Sequence, residues 1–186
     1  MGRSESDITY YSLSLRVLHW GMAALLLSML FAGLLMVRSL EPWQPTLLAL
    51  HKSLGIFAFV AAIIRVVVRL RGTAPELPRD LPGTQHFVAK LSHLLLYAAM
   101  ITLPVSGYLM QNAAGRPVEV FGVISMPSIL SISLDSYGFL RELHGLIALG
   151  LIGMVLLHIA AALHHGWIRK DGVLQTMFFG AKDQAE

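Results

Sequence analysis

The chain has 186 residues, of which 55% are apolar and 13% charged, against roughly 25% charged in soluble domains. Lysine and arginine exceed aspartate and glutamate by 14 − 11 = 3, and they border apolar runs instead of forming a basic face, which excludes a nucleic-acid-binding domain and leaves an integral membrane protein. With no cysteine, disulfides, thiolate-held iron–sulfur clusters and a cysteine nucleophile are excluded as well.

Residues 1–16 are too long and polar for a signal-peptide n-region, and no small-residue cleavage site follows, so the first apolar run is expected to stay as an anchor. That run is free of charge from Trp20 to Val37 and covers most of a hydrocarbon core roughly 30 Å thick. It predicts a span over 17–38. A second span over 47–70 carries Lys52 near its start and Arg65 and Arg69 near its end, from where long side chains can snorkel to headgroups.

The connector 71–83 holds Pro75, Pro78 and Pro82 and is not expected to be helical throughout. The third span, 87–110, has Pro104 in its interior, a position that should kink it. Between 112 and 137 an apolar stretch is broken by Pro127 and is expected to lie in the interface as a lid. The fourth span, 141–165, is the most apolar and contains Gly145, Gly150 and Gly153, which permit close approach of a helix or a flat ligand. The expectation is one all-α domain over 1–186, a four-helix membrane bundle.

Placing the amino terminus inside puts Arg3, Arg16, Arg65, Arg69, Arg71, Arg79, Lys90, Arg169, Lys170 and Lys182 on the inner side, and Arg38, Lys52, Arg116 and Arg141 outside. Ten against four obeys the positive-inside rule. Trp20 and Trp167 then mark the inner border and Trp43 the outer one.

Eight histidines fall mostly within or at the ends of these spans, where an ionisable group needs a metal, a proton path or a backbone partner. His144 and His158 are fourteen residues apart on one helix, about 40° short of four turns and about 21 Å in rise. They share a face near opposite ends. His19 opens the first span and His51 the antiparallel second, so depth pairs His19 with His158 on the inner side and His51 with His144 on the outer. Two levels with one imidazole from either flank is the arrangement that two bis-histidine haems need. Four residues after each ligand stand Ala23, Gly55, Ala148 and Ala162, small enough to leave room for a macrocycle. His93 competes as a partner of His19, but Tyr97 follows it one turn later, so it is assigned a hydrogen bond near the inner haem or a quinone. His86 reads as a solvated loop residue. His164 and His165, beside Trp167, Arg169, Lys170 and Asp171, either complement a helix carboxyl end or serve a quinone or proton path.

His19-Trp20 within Leu18–Met22, Leu50-His51-Lys52 with Arg65 and the valines before Leu70, Ser92-His93-Leu94 through Pro104, and His144 with His158 and His164-His165 closely resemble the bacterial cytochrome b561 family over nearly the whole chain. The likeness is greatest to small stand-alone members that pass electrons from superoxide to ubiquinone. The resemblance implies a multi-pass inner-membrane protein with a cytoplasmic amino terminus and two b-type haems on His19, His51, His144 and His158. It also implies a quinone site near the inner haem at His165, with Trp167 and Lys170 close by.

Under this reading a donor meets the outer haem, the electron crosses to the inner one, and quinone takes it there. For superoxide, an anion, Arg38, Lys52, Arg116 and Arg141 are candidates for steering or for pairing haem propionates, against simple headgroup contact. Glu41, Glu119, Asp135 and Glu142 weaken the field on that face. One alternative is an anchor subunit that relays electrons between a separate redox protein and the quinone pool. Another is a histidine-lined transporter of a divalent metal such as zinc or nickel, for which two ligands per level and no mid-span carboxylate are too few.

Overall fold

The computed structural model describes residues 10–38, 40–72, 75, 78 and 80–178. Arg3, Arg79 and Lys182 of the charge count lie outside them. Four long helices follow in order: α1 (Leu13–Arg38), α2 (Gln44–Arg71), α3 (Gly83–Ala113) and α4 (Leu134–Leu163). Each is long and apolar enough to cross a membrane. A π-helical turn (His164–Arg169) continues α4, and a short α5 (Gln175–Phe178) ends the described chain.

Every helix begins ahead of its apolar run, by seven residues for α4. Hydrophobicity reports the hydrocarbon depth, whereas capping sets where the backbone starts to coil. Ser133 caps α4 by accepting a hydrogen bond from Ser136 N, with Asp135 in the first turn. Proline stands in the first turn of α2 and at the N-cap of α3, where its missing N–H costs nothing. Helix α3 runs on through Pro104.

Close backbone contact joins α1 to α2, α2 to α3 and, most extensively, α3 to α4, while α4 has no comparable contact with α1 or α2. The shared core is correspondingly small, with Met22, Ala62 and Met100 buried between the first three helices. Lipid offers no hydrophobic drive to squeeze helices together, so small side chains such as Ala62 fix their spacing. Ends are tied by polar contacts. At one end Arg16 Nη1 donates to Phe178 O and Trp20 Nε1 to Met177 O, at 3.0 and 3.1 Å, which brings α5 back over the start of α1.

At the other end the expected lid is a folded hairpin. Strands β1 (Glu119–Val120) and β2 (Ile124–Ser125) pair antiparallel around a turn in which Phe121 and Gly122 both have positive φ, the backbone a tight hairpin favours. Ser53, buried on α2, clamps it: the hydroxyl accepts from Phe121 N at 2.9 Å and lies 3.1 Å from Glu119 O. Lys52 Nζ donates to Pro117 O, Ile129 N donates to Asn112 Oδ1, and Tyr108 donates to Pro127 O. The lid is thus fastened to α2 and α3.

Candidate functional site

A cavity of about 1030 Å³ lined by all four long helices lies in the lid half of the bundle, at the upper end of ligand-pocket volumes. His51 and His144 line it together with Gly33, Gly55, Gly107 and Ala148. So two of the four small residues one turn from a histidine do border the space. Two further glycines do so that the spacing argument missed: a Cβ on Gly107 would fall 2.9 Å from His144 Cε1, and one on Gly33 would fall 3.8 Å from His51 Cε1.

His144 Nδ1 lies 3.0 Å from Leu103 O and 3.1 Å from Ser106 Oγ. A carbonyl only accepts, so Nδ1 carries the hydrogen and Nε2 keeps its lone pair for a metal, the second-shell clasp typical of ligating histidine. His51 Nδ1 is buried without a hydrogen-bond partner among the described residues. Arg38, Lys52, Arg116 and Arg141 all reach the same cavity, as does Glu142, so the four basic side chains expected on this face converge on one opening.

At the other level the rings of His19 and His158 are 6.1 Å apart, centre to centre. Two metal–imidazole bonds of about 2 Å, with half a ring on each side, give about 6 Å between centres, so this pair fits a shared iron. His93 also approaches His158, at 5.7 Å, and distance alone does not choose between them. Arg65, expected to snorkel outward, turns inward instead: Nη2 is 2.9 Å from His19 Nδ1 and the guanidinium lies over the Tyr97 ring at 6.0 Å.

Beyond α4, His165 Nδ1 donates to Asp171 Oδ2 at 2.6 Å, and Arg169 bridges Asp171 (3.0 Å) and Asp80 (2.7 Å). Burial acts to raise the Asp171 carboxyl, but the hydrogen bonds from His165 and Arg169 outweigh it and hold it below the usual value. No sequence signal announced this pairing, since histidine and aspartate six residues apart meet only because the helix widens to a π turn. His165 is half-buried here, whereas Trp167 is 70% exposed on the outer surface and Lys170, in a left-handed conformation, is also exposed. The three residues expected around a quinone share this end of the chain, beyond α4. His86, expected as a solvated loop residue, lies instead in the first turn of α3 and is half-buried. Among the described residues, no three His, Asp or Glu side chains converge to hold a bare metal ion.

A family profile for prokaryotic cytochrome b561 matches residues 10–180. The chain is 33% identical over 162 residues to cytochrome b561 homolog 2 of Escherichia coli K12, covering 86% of each chain. It is 30% identical over 163 residues to a probable superoxide oxidase CybB of Yersinia pestis, covering 86% of this chain and 90% of that one. Cytochrome b561 homolog 1 of E. coli K12 is 27% identical over 127 residues, 68% of this chain and 72% of that one. Four membrane-length helices, interior histidines on opposing helices and this similarity along most of the sequence lead to one assignment: the chain belongs to the prokaryotic cytochrome b561 family, membrane electron-transfer proteins that bind haem b.

Proposed function

We propose that the chain is a superoxide:ubiquinone oxidoreductase of the inner membrane, with one b haem held by His51 and His144 near the lid and a second by His19 and His158 near the opposite end. The observation that carries this reading is His144, whose Nδ1 is occupied by Leu103 O while its ring borders a cavity shared with His51. Bound there, between His51 and His144 and between His19 and His158, the haems would supply one-electron carriers at two depths. His19 is favoured over His93 as the partner of His158 because α3 and α4 are in direct contact, whereas α1 and α4 stand apart. A macrocycle needs that separation.

Arg38, Lys52, Arg116 and Arg141 would attract the superoxide anion to the lid end. At the cytoplasmic end, Asp171 fixes the Nδ1–H of His165 and leaves Nε2 for a quinone oxygen; Trp167 and Lys170 would contact the quinone as it enters from lipid. The bias of ten basic residues against four supports a cytoplasmic position for this end and for the amino terminus.

The test is a purified chain with its haem-to-protein ratio and reduced-minus-oxidised spectrum, followed by mixing with superoxide and a quinone analogue. A ratio near two, loss of one haem in His144→Ala and of the other in His158→Ala, and quinone reduction above the uncatalysed rate are expected. Two haems without superoxide-driven quinone reduction would point to the anchor-subunit role; a colourless chain refutes both.

A further inference from the structure

Arg65 sits six residues from the end of α2, and His19 six residues from the start of α1, so both lie about 9 Å inside the helix ends. The described α1, α2 and α3 contain no aspartate or glutamate, and those of α4, Asp135 and Glu142, are at the lid end. Arg65 Nη1 is buried and has no hydrogen-bond partner among the described residues. Its Nη2 lies 2.9 Å from a ring nitrogen of His19. A guanidinium this deep calls for an anion.

Its contact with His19 also conflicts with ligation. Guanidinium only donates, so His19 Nδ1 must accept, which puts the ring hydrogen on Nε2. Iron at Nε2 requires the opposite tautomer. The two partners are therefore exclusive, and a ligand that brings iron must also draw Arg65 away.

We infer that Arg65 is the counter-charge of the haem held by His19 and His158: as that haem binds, the guanidinium leaves His19 and pairs with a propionate carboxylate. The pair fixes the haem's orientation, and the cation nearby favours the iron's extra electron, so the reduction potential at this level is held up. Arg69, one turn further out and stacked over Tyr11 at 5.8 Å, is a separate interfacial contact.

This inference rests on the bis-histidine reading of that level, so it is tested in the His144→Ala background, where a single haem should remain. Absence of haem in that background sinks the ligand assignment itself. With haem present, Arg65→Gln should lower the reduced-to-oxidised ratio at fixed potential at least tenfold, about 59 mV for a one-electron couple, and Arg65→Lys should recover most of it. An unchanged midpoint in Arg65→Gln, or equal shifts in both variants, overturns the role of Arg65. If Arg65→Gln fails to keep haem, titration with haem and with its propionate dimethyl ester decides. The advantage of Arg65 over Gln should vanish with the ester; an advantage that survives esterification overturns the pairing.

Discussion

Gly107→Ala should remove the lid-level haem and spare the other. The added Cβ would stand 2.9 Å from His144 Cε1 and 3.2 Å from Nδ1, about 0.6 Å inside the ~3.5 Å at which carbon contacts become favourable. His144 cannot swing away freely, because Nδ1 is held by Leu103 O and Ser106 Oγ. Moving it by that distance exceeds the roughly 0.2 Å tolerance of a metal–ligand bond. Overpacking of this kind costs about 1–3 kcal/mol, which corresponds to roughly 5- to 150-fold weaker binding. Gly33→Ala is the internal control, since its Cβ would lie 3.8 Å from His51 Cε1 in ordinary contact. The assay is haem per protein in the purified variants, with Gly107→Ala repeated in His144→Ala to show that no further haem is lost. Full occupancy with an unshifted spectrum in Gly107→Ala, or equal losses in Gly33→Ala, would refute the reasoning.

Asp171 gives a pH dependence with a fixed sign. Hydrogen bonds from His165 and Arg169 hold its carboxyl below the ordinary aspartate range in the folded chain, so its ionised form stabilises the turn above the unfolded value and that contribution is lost as pH falls through the folded one. Amide protection over 164–178, taken relative to the intrinsic exchange rate at each pH, should be steady at neutral pH and fall only below roughly pH 4; Asp171→Asn should be weakly protected throughout, and a pH step persisting in that variant would count against the assignment. Ser53→Ala leaves the Phe121 N–H without its acceptor, at a cost of about 1–3 kcal/mol. Proteolytic cleavage within 119–125 should quicken while both haems stay. Arg116→Gln with Arg141→Gln should slow superoxide-driven quinone reduction and flatten its dependence on ionic strength, with the haem spectrum unaltered; a rate unchanged at low salt would exclude steering by these two residues.

The spans were legible because lipid imposes a composition on twenty residues at a time, and antiparallel order then converts sequence position into depth. That suffices to match His51 with His144 and His19 with His158. What depth leaves open is azimuth, the side of a helix on which a group emerges and the neighbour it meets. Arg65 shows the loss: near a helix end it reads as a snorkelling residue, yet it turns inward to His19. The clasp of Leu103 O on His144 was equally hidden, since any carbonyl of an apolar helix looks the same in sequence. The lid defeated pattern reading for another reason. Two strands of two residues each are too short to show alternation, and they are held by Ser53 on a distant helix instead of by their own propensity.

The difference between the two levels bears on the direction of electron flow. Leu151, 1% exposed, is seven residues from both His144 and His158, so it lies about 10.5 Å along the helix from each and nearly on their shared face. It lines the lid-half cavity and stands midway between the two levels. The lid level has its cations at an opening, where water and salt screen them. The other has Arg65 with Nη1 out of reach of solvent, beside the haem it is inferred to pair with, and a charge so placed acts through a lower effective dielectric. Equal numbers of positive groups would thus stabilise an added electron more at the His19–His158 level than at the His51–His144 level. Under the proposed function, transfer from the lid toward the quinone end would then run downhill because of where the charges are buried, with no need for chemically different ligands at the two irons.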